Sequence, residues 1–490
     1  MRRGYGRLTS HAPPSPPTPG PALPGPRPSG TLALITVLGL GLRLGYIALY
    51  RRHATPAGDA YYYHYQANLL VGGHGFINPL TYAVAHRAVP AADHPPLWTL
   101  VLAVAALVGL KSFWSQIVWS CLVGAAAIVV VALATHEIAG RRAGIAAAFL
   151  AACYPVFWIN DGALMSETLV LLTSALVVWQ SYRLRRRPSL GAAFWLGTCC
   201  GLGALTRSEL FLVVPILAAG VALTRVLPTR RRAGAAGLLI VVGAMVPLTP
   251  WWIYNSSRFA DPVLLSSQLG VTLAGANCPA TYSGPLLGYW SFGCDLDVHP
   301  AAHTDASQQD GEYRHAALQF AQAHVDRLPL VALARVGREL GLYRPFEQVD
   351  LEWNVLGRPR APAVVGLLVW YVSAALGVVG AVLLHRRRVP LLPFAALALD
   401  VVVVAAVTFG QTRYRVALDA TVVMLAGVAI GWLSEPPARL RLRLRLRLRG
   451  MPAVSAAEGS TGPGPPEPSG PPGGQSAERR DGSRGLAAGR

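Results

Sequence analysis

The sequence predicts an all-α polytopic membrane protein, with about ten transmembrane helices, one interfacial helix and an extracytoplasmic loop or domain. Three observations predict this class. Hydrophobic residues make up 53% of the 490, and the mean hydropathy of +0.40 is high for a soluble surface of this size. Apolar runs near or above the ~18–20 residues that cross a bilayer recur along the chain. Only 14% of residues are charged, and the arginines fall in short clusters between the apolar runs. The formal charge of +19 therefore reads as membrane topology and not as a nucleic-acid surface. Lys111 is the only lysine. That bias, with the Ala, Gly and Pro content, points to a GC-rich bacterial genome and carries no chemistry.

Residues 1–30 are rich in Pro, Gly and Ser and cannot bury a core, so a disordered cytoplasmic N-terminus is expected. The run 31–50 is too long for a signal-peptide core and has no convincing cleavage site, so it reads as a retained first helix. A polar outer loop, 51–97, follows. It ends in His94-Pro95-Pro96, an extended entry into an apolar run that stops at Leu110. That run has only ~14 residues, which suits an interfacial helix better than a span. Further runs cover roughly 113–136, 142–159, 164–183, 189–205, 209–227, 233–253, 362–384, 390–409 and 415–433.

The positive-inside rule orients these runs. Arg141-Arg142 and the clusters 185–187, 230–232 and 386–388 alternate with short polar turns at Asn160-Asp161, 206–209 and 411–415. If 95–110 lies in the outer interface, every cluster falls in the cytoplasm, together with both termini. Residues 31–255 then form a transmembrane catalytic module, 256–361 an extracytoplasmic loop or domain, and 362–433 the last helices. Residues 434–490 form a basic, then disordered, cytoplasmic tail. Its Arg-Leu alternation from Arg439 to Arg449 suits either anionic headgroups or a plain topology anchor.

Of the six cysteines, Cys121, Cys153, Cys199 and Cys200 lie in apolar runs and read as small core residues. Cys278 and Cys294 lie in the polar segment on the oxidising side. A disulfide there would stabilise by about 3 kcal/mol; the alternative is two buried thiols.

Charge near a span is costly and marks function first. The topology gathers Asp59, Asp93, His94, Asp161, Glu167, Arg207, Glu209, Arg413 and Arg415 at one membrane face. Asp59, among Tyr61, Tyr62, Tyr63 and His64, suits a general base, or else it caps a helix starting at Ala60. Glu167 follows Ser166 at a helix start, where the dipole alone favours an acid. Arg207, Arg413 and Arg415 break the charge bias, and an anionic ligand such as a phosphate supplies a reason. A carboxylate facing arginines at the bilayer edge suits sugar transfer from a lipid phosphate. The leaving phosphate is already a stable anion, so no general acid is required.

Gly58-Asp59 with Tyr63, then Gly75-Phe76, Asp93-His94-Pro95-Pro96-Leu97 and Ser166-Glu167-Thr168-Leu169 resemble the family 39 membrane glycosyltransferases of the C-type fold. These include protein O-mannosyltransferases and lipid A aminoarabinose transferases. The resemblance covers residues 31–255, and Gln411-Thr412-Arg413-Tyr414-Arg415 is similar to a late outer-face motif. It implies a polyprenyl-phosphate sugar donor, an extracytoplasmic acceptor (protein, glycan or lipid), inversion at the anomeric carbon, and Asp59 as base. Asp93-His94 falls where relatives have an acidic residue and a lysine or other polar residue before the Pro pair, and Glu167 on a second acidic position near the sugar; Tyr63, Asp93, His94, Glu167, Arg207, Arg413 and Arg415 are the donor- or acceptor-binding candidates. His94 stands where the aminoarabinose branch has a lysine. Some relatives hold a metal; no ligand set here is sharp enough to assign one, so a divalent ion stays open. The expected partners are the donor, membrane lipids and the acceptor, with no nucleic acid, in a multi-pass plasma-membrane protein. The competing class is a transporter or lipid flippase, which would show internal repeats and midplane charges. A scaffold whose outer segment binds partners leaves Asp59 and the outer arginines unexplained.

Overall fold

The computed structural model describes residues 30–224 and 226–434. The expectations for the N-terminal stretch, the Arg-Leu run and the tail lie outside the described residues.

The described chain is helical throughout, and its one β-type pairing is an isolated bridge between Ile77 and Pro90. α1 (Gly30–Tyr46) runs into a π-helical turn, Ile47–Arg51. A first excursion carries α2 (Asp59–Val71), α3 (Pro79–Ala85) and α4 (Leu97–Leu107). Then come α5 (Phe113–Ala139), α6 (Arg141–Cys153), α7 (Pro155–Ala163), α8 (Glu167–Arg186), α9 (Leu190–Ala204), α10 (Val213–Leu223) and α11 (Arg230–Ser256). A second excursion holds α12 (Leu269–Ala276), α13 (Pro279–Tyr282), α14 (Phe292–Leu296), α15 (Ala306–Ala323), α16 (Leu328–Glu339) and α17 (Pro345–Leu356). The chain returns through α18 (Arg360–Arg386), α19 (Leu392–Val407) and α20 (Val416–Leu433).

Among the described residues, five helical stretches are long and apolar enough to cross a membrane: α1 with its turn, α5, α11, α18, and Thr412–Leu433. The α6–α7 pair makes a sixth if counted as one span, bent by 51°. The run 142–159 reads in sequence as one unbroken helix. Pro155 breaks it, because proline pushes the preceding residue out of the helical region, and Tyr154 sits at φ −74°, ψ 111°. The run 209–227 is also shorter than expected. It opens as a 3-10 turn, Ser208–Leu212, before α10.

Small residues bring the helices together, as dispersion requires where lipid is as apolar as the side chains. Gly197 and Gly201 of α9 lie against the Ile240 and Ala244 carbonyls of α11, with no room for a Cβ. Gly427 and Gly431 of α20 lie in the same way against Ala147 and Ala143 of α6. α20 is the central post, touching α5, α6, α8, α18 and α19.

The second excursion packs over the bundle, α16 on α19 and α17 on α18. Arg335 ties it down, donating to the carbonyls of Ala276 (2.6 Å), Ala406 and Val407 (3.2 Å each). Cys278 and Cys294 are joined by a disulfide. Cys121, Cys199 and Cys200 are buried, but Cys153, expected in the core, is exposed on the α6 surface.

Candidate active site

Asp59 opens α2. The preceding Gly58 has φ 53° and ψ −132°, a conformation that a Cβ would make costly. Gly58, and not Asp59, occupies the capping position, and no side chain caps this helix. The capping alternative for Asp59 is therefore set aside, because its carboxylate is engaged elsewhere. Arg413 Nη2 donates to Asp59 Oδ2 at 2.5 Å, and His94 Nε2 lies 3.7 Å from Oδ1.

Arg413 comes from a 3-10 turn, Thr412–Arg415, between α19 and α20. Its Nε donates to Glu167 Oε1 at 2.9 Å. Glu167 opens α8, as the Ser-Glu spacing predicts, and it does more than meet the dipole. The same Oε1 accepts from Arg207 Nη1 at 3.2 Å. Arg207 precedes the Ser208–Leu212 turn and also donates through Nε to Glu209. Both guanidiniums lie against the Tyr414 ring, Arg207 at 4.1 Å and Arg413 at 4.6 Å from its centroid. Cation–π attraction of this kind lets two like charges share a small volume.

Tyr62 and Tyr63 flank His94, with ring centroids 5.0 Å and 4.9 Å away. Asp93 receives a long contact from Asn78 Nδ2 at 3.5 Å. Exposure separates the two principal carboxylates. Asp59 is 31% open on its side chain and Glu167 only 1%. Asp59 can meet a substrate, whereas Glu167 is enclosed and holds the arginines.

Burial alone would raise the Asp59 pKa, but the Arg413 guanidinium, with His94 and Arg207, outweighs it and holds the carboxyl well below the usual carboxylate range. Burial raises Asp93 above its ordinary value, against the neighbouring His94 and with a smaller push from the Asp59 charge. Burial and the Asp59 charge also push the Tyr63 phenol up, which keeps it a proton-bearing group.

The structure brings Asp59, Tyr63, His94, Glu167, Arg207 and Arg413 together, with Asp93 at the edge. Two expected members are elsewhere. Arg415 is buried against Asp419 (3.1 Å), the Glu339 carbonyl (3.1 Å) and the Trp370 ring (3.8 Å). Two residues past Arg413, a tight turn aims it in a different direction. Asp161 is enclosed by α1, where Arg43 Nε reaches it at 2.6 Å. Sequence reasoning missed Tyr414 as the ring that both Arg207 and Arg413 contact, although its place beside Arg413 was a signal. It also missed Arg258, which donates to the Phe76 carbonyl and covers the Tyr254 ring at 4.4 Å. Among the described residues, no three His, Cys, Asp or Glu side chains converge to hold a metal, and Arg413 fills the space between Asp59 and Glu167.

Residues 93–254 match the family described as dolichyl-phosphate-mannose-protein mannosyltransferase. No curated protein matches the chain. The oligosaccharyltransferase of Archaeoglobus fulgidus, in complex with Zn and sulfate, superposes with a TM-score of 0.50 at 14% identity, over 86% of this chain and 51% of that one. The same enzyme tethered to an acceptor peptide with the NVT sequon gives 0.51 at 15% identity, over 87% and 51%. ArnT from Cupriavidus metallidurans, bound to undecaprenyl phosphate, gives 0.41 at 18% identity, over 82% and 78%. The chain thus spans about half the length of the oligosaccharyltransferase it matches. The fold is similar to that of the Archaeoglobus fulgidus oligosaccharyltransferase, and residues 93–254 resemble the mannosyltransferase family.

Proposed function

We propose that this chain transfers a sugar from a polyprenyl-phosphate carrier to an acceptor hydroxyl on the non-cytoplasmic side of the membrane, with inversion. The observation that carries the reading is the pairing of Asp59 and Glu167 through one arginine, Arg413, drawn from segments remote in sequence. The description of the matched family, a dolichyl-phosphate-mannose user, supports the donor class. Ten spans, an interfacial α4 and an outward-facing first excursion follow from the arginine clusters and complete the reading.

The chemistry follows from the electrostatics. In the free protein Arg413 neutralises Asp59, which makes it a weak base. A donor phosphate gives Arg413 and Arg207 a second anion to bind. As Arg413 turns toward it, Asp59 loses its partner and becomes more basic. The acceptor hydroxyl then gives its proton to Asp59 while its oxygen bonds to the anomeric carbon from the face opposite the phosphate. The bond between that carbon and the phosphate oxygen breaks, and polyprenyl phosphate leaves with the electron pair, stabilised by both arginines. His94 and Tyr63 are placed to bind sugar or acceptor hydroxyls beside Asp59.

The test is transfer of label from a radiolabelled polyprenyl-phosphate sugar by purified protein. Asp59→Asn removes the base and keeps the shape. Its rate is expected to fall by about 10²–10⁴-fold, the usual contribution of a general base. A substituted protein as fast as the parent would sink the assignment.

A further inference from the structure

The turn that carries Arg413 is held by two buried carboxylates of the second excursion. Glu352 of α17, 3% exposed, accepts through Oε1 from the Thr412 backbone N–H (3.1 Å) and the Thr412 hydroxyl (2.5 Å). Glu339 of α16, 1% exposed, accepts through Oε2 from the Gln411 N–H at 2.9 Å. These amides stand at the N-terminal end of a 3-10 turn, where backbone donors have no helical partner. Both carboxyl groups supply acceptor oxygens for these otherwise unpaired donors.

Glu352 is itself fixed. Gln348 Nε2 donates to Oε1 at 3.1 Å and Arg358 Nη1 to Oε2 at 3.4 Å. Arg358 also donates to Asn160 Oδ1 of α7 at 2.5 Å. Gln348 accepts in turn from Arg338 (3.1 Å), which also holds the carbonyls of Pro285 (2.5 Å) and Leu287 (2.7 Å), inside the loop closed by the disulfide. A continuous polar chain therefore runs from that loop to the Arg413 turn. Burying a polar acceptor is costly unless it is paired, and here the donors that pair both carboxyl groups are the amides of the Arg413 turn.

We propose that Glu352 and Glu339 are positioning residues for Arg413, so that the second excursion forms a wall of the reaction centre and sets how well the site grips a lipid-linked phosphate. The second half of this inference rests on the sugar-transfer reading. With the amides of residues 411 and 412 fixed, the backbone leading into Arg413 has one conformation, and its guanidinium reaches Asp59 and Glu167 without further ordering cost.

The experiment measures binding of undecaprenyl phosphate, in detergent, to the full chain and to Glu352→Ala, Glu352→Gln, Arg413→Gln and the double variant Glu352→Ala/Arg413→Gln. Glu352→Ala is expected to weaken binding about tenfold or more, as for loss of hydrogen bonds to a charged group. Glu352→Gln, which keeps an acceptor oxygen for Thr412, recovers most of that loss. In the Arg413→Gln background, Glu352→Ala costs nothing further, because its effect passes through Arg413. An equal loss in both backgrounds, or no loss in either, overturns the proposal. If Glu352→Ala does not fold, Thr412→Val takes its place in the same cycle with the same criteria. Should the parent chain fail to bind the lipid, the sugar-transfer reading falls. The positioning claim is then decided by amide exchange at residues 411–415, which must quicken in Glu352→Ala or Thr412→Val relative to the parent; unchanged exchange overturns it.

Discussion

Two arginines separated by one residue have opposite duties. Arg413 reaches a partly open carboxylate, whereas Arg415 is enclosed with Asp419, itself hydrogen-bonded to the Tyr154 hydroxyl at 2.9 Å. Removing one member of a buried pair leaves an uncompensated charge, which costs about 3–5 kcal/mol. Arg415→Met is therefore expected to lower the thermal midpoint in detergent sharply, and Arg415→Met/Asp419→Leu to recover much of the loss. If Arg415→Met left the midpoint unchanged, the structural role would be wrong. A second residue-scale expectation concerns pH. Burial pushes the Asp295 carboxyl up to about 7, so its folded pKa lies above its unfolded value. The folded state binds this proton more tightly, so the contribution is complete below the ordinary carboxylate range and is lost as pH rises through about 7. Asp295→Asn should remove this part of the pH dependence and raise the midpoint above pH 7. Thermal unfolding from pH 5 to pH 9 reads it directly, and parallel curves for parent and variant would refute it.

At the scale of elements, the packing of α9 on α11 rests on absent side chains. Gly201 has the Ala244 carbonyl and Pro247 where a Cβ would stand. The nearest atoms include backbone, which cannot swing away as a side-chain tip does. Gly201→Leu should separate the two helices and cost on the order of 1–3 kcal/mol or more, the usual penalty for overpacking. Gly191→Leu, at an open position on the same helix, should be tolerated. Equal midpoints for the two variants would contradict this packing. α9 leads into the turn that carries Arg207, so loss of this contact should reach the site as well. Pro155 stands in plain view, yet the apolar pattern of 142–159 reads straight through it, so the break was not legible. Nor was the continuation of α7 to Ala163, because the apolar pattern fades at Asn160-Asp161, whose polar groups are satisfied by Arg43, Thr168 and Arg358.

The whole molecule turns on which membrane face holds the site. The arginine clusters at 141–142, 185–187, 230–232 and 386–388 lie at helix ends about one helix length along the chain from Glu167, Arg207 and Arg413, with α8 running from Glu167 to Arg186. Reporter fusions are expected to place Gly58 to Tyr63 outside and Arg141-Arg142 in the cytosol; the reverse result would remove the proposed donor side. The transporter reading would need charges at the midplane of repeated halves. The carboxylates and arginines here gather instead at the ends of helices: the starts of α2 and α8, and the turns before α10 and α20.

The sequence by itself determined the helical membrane class, the positions of most apolar runs, and the residues worth examining. Those properties are local: they depend on apolar length, proline, and charge against lipid. It also proposed Asp59, Glu167, Arg207 and Arg413 as neighbours, because a topology rule can bring loops to one face without knowing contacts. Only the tertiary structure decided that Arg413 bridges the two carboxylates while Arg415 turns into the bundle. It alone decided that Asp161 pairs with Arg43, and that Glu339 and Glu352 hold the turn. These pairings, with Arg415 on the Glu339 carbonyl among them, join segments tens to hundreds of residues apart and are set by helix packing and by the aim of single side chains. No pattern within one segment encodes them.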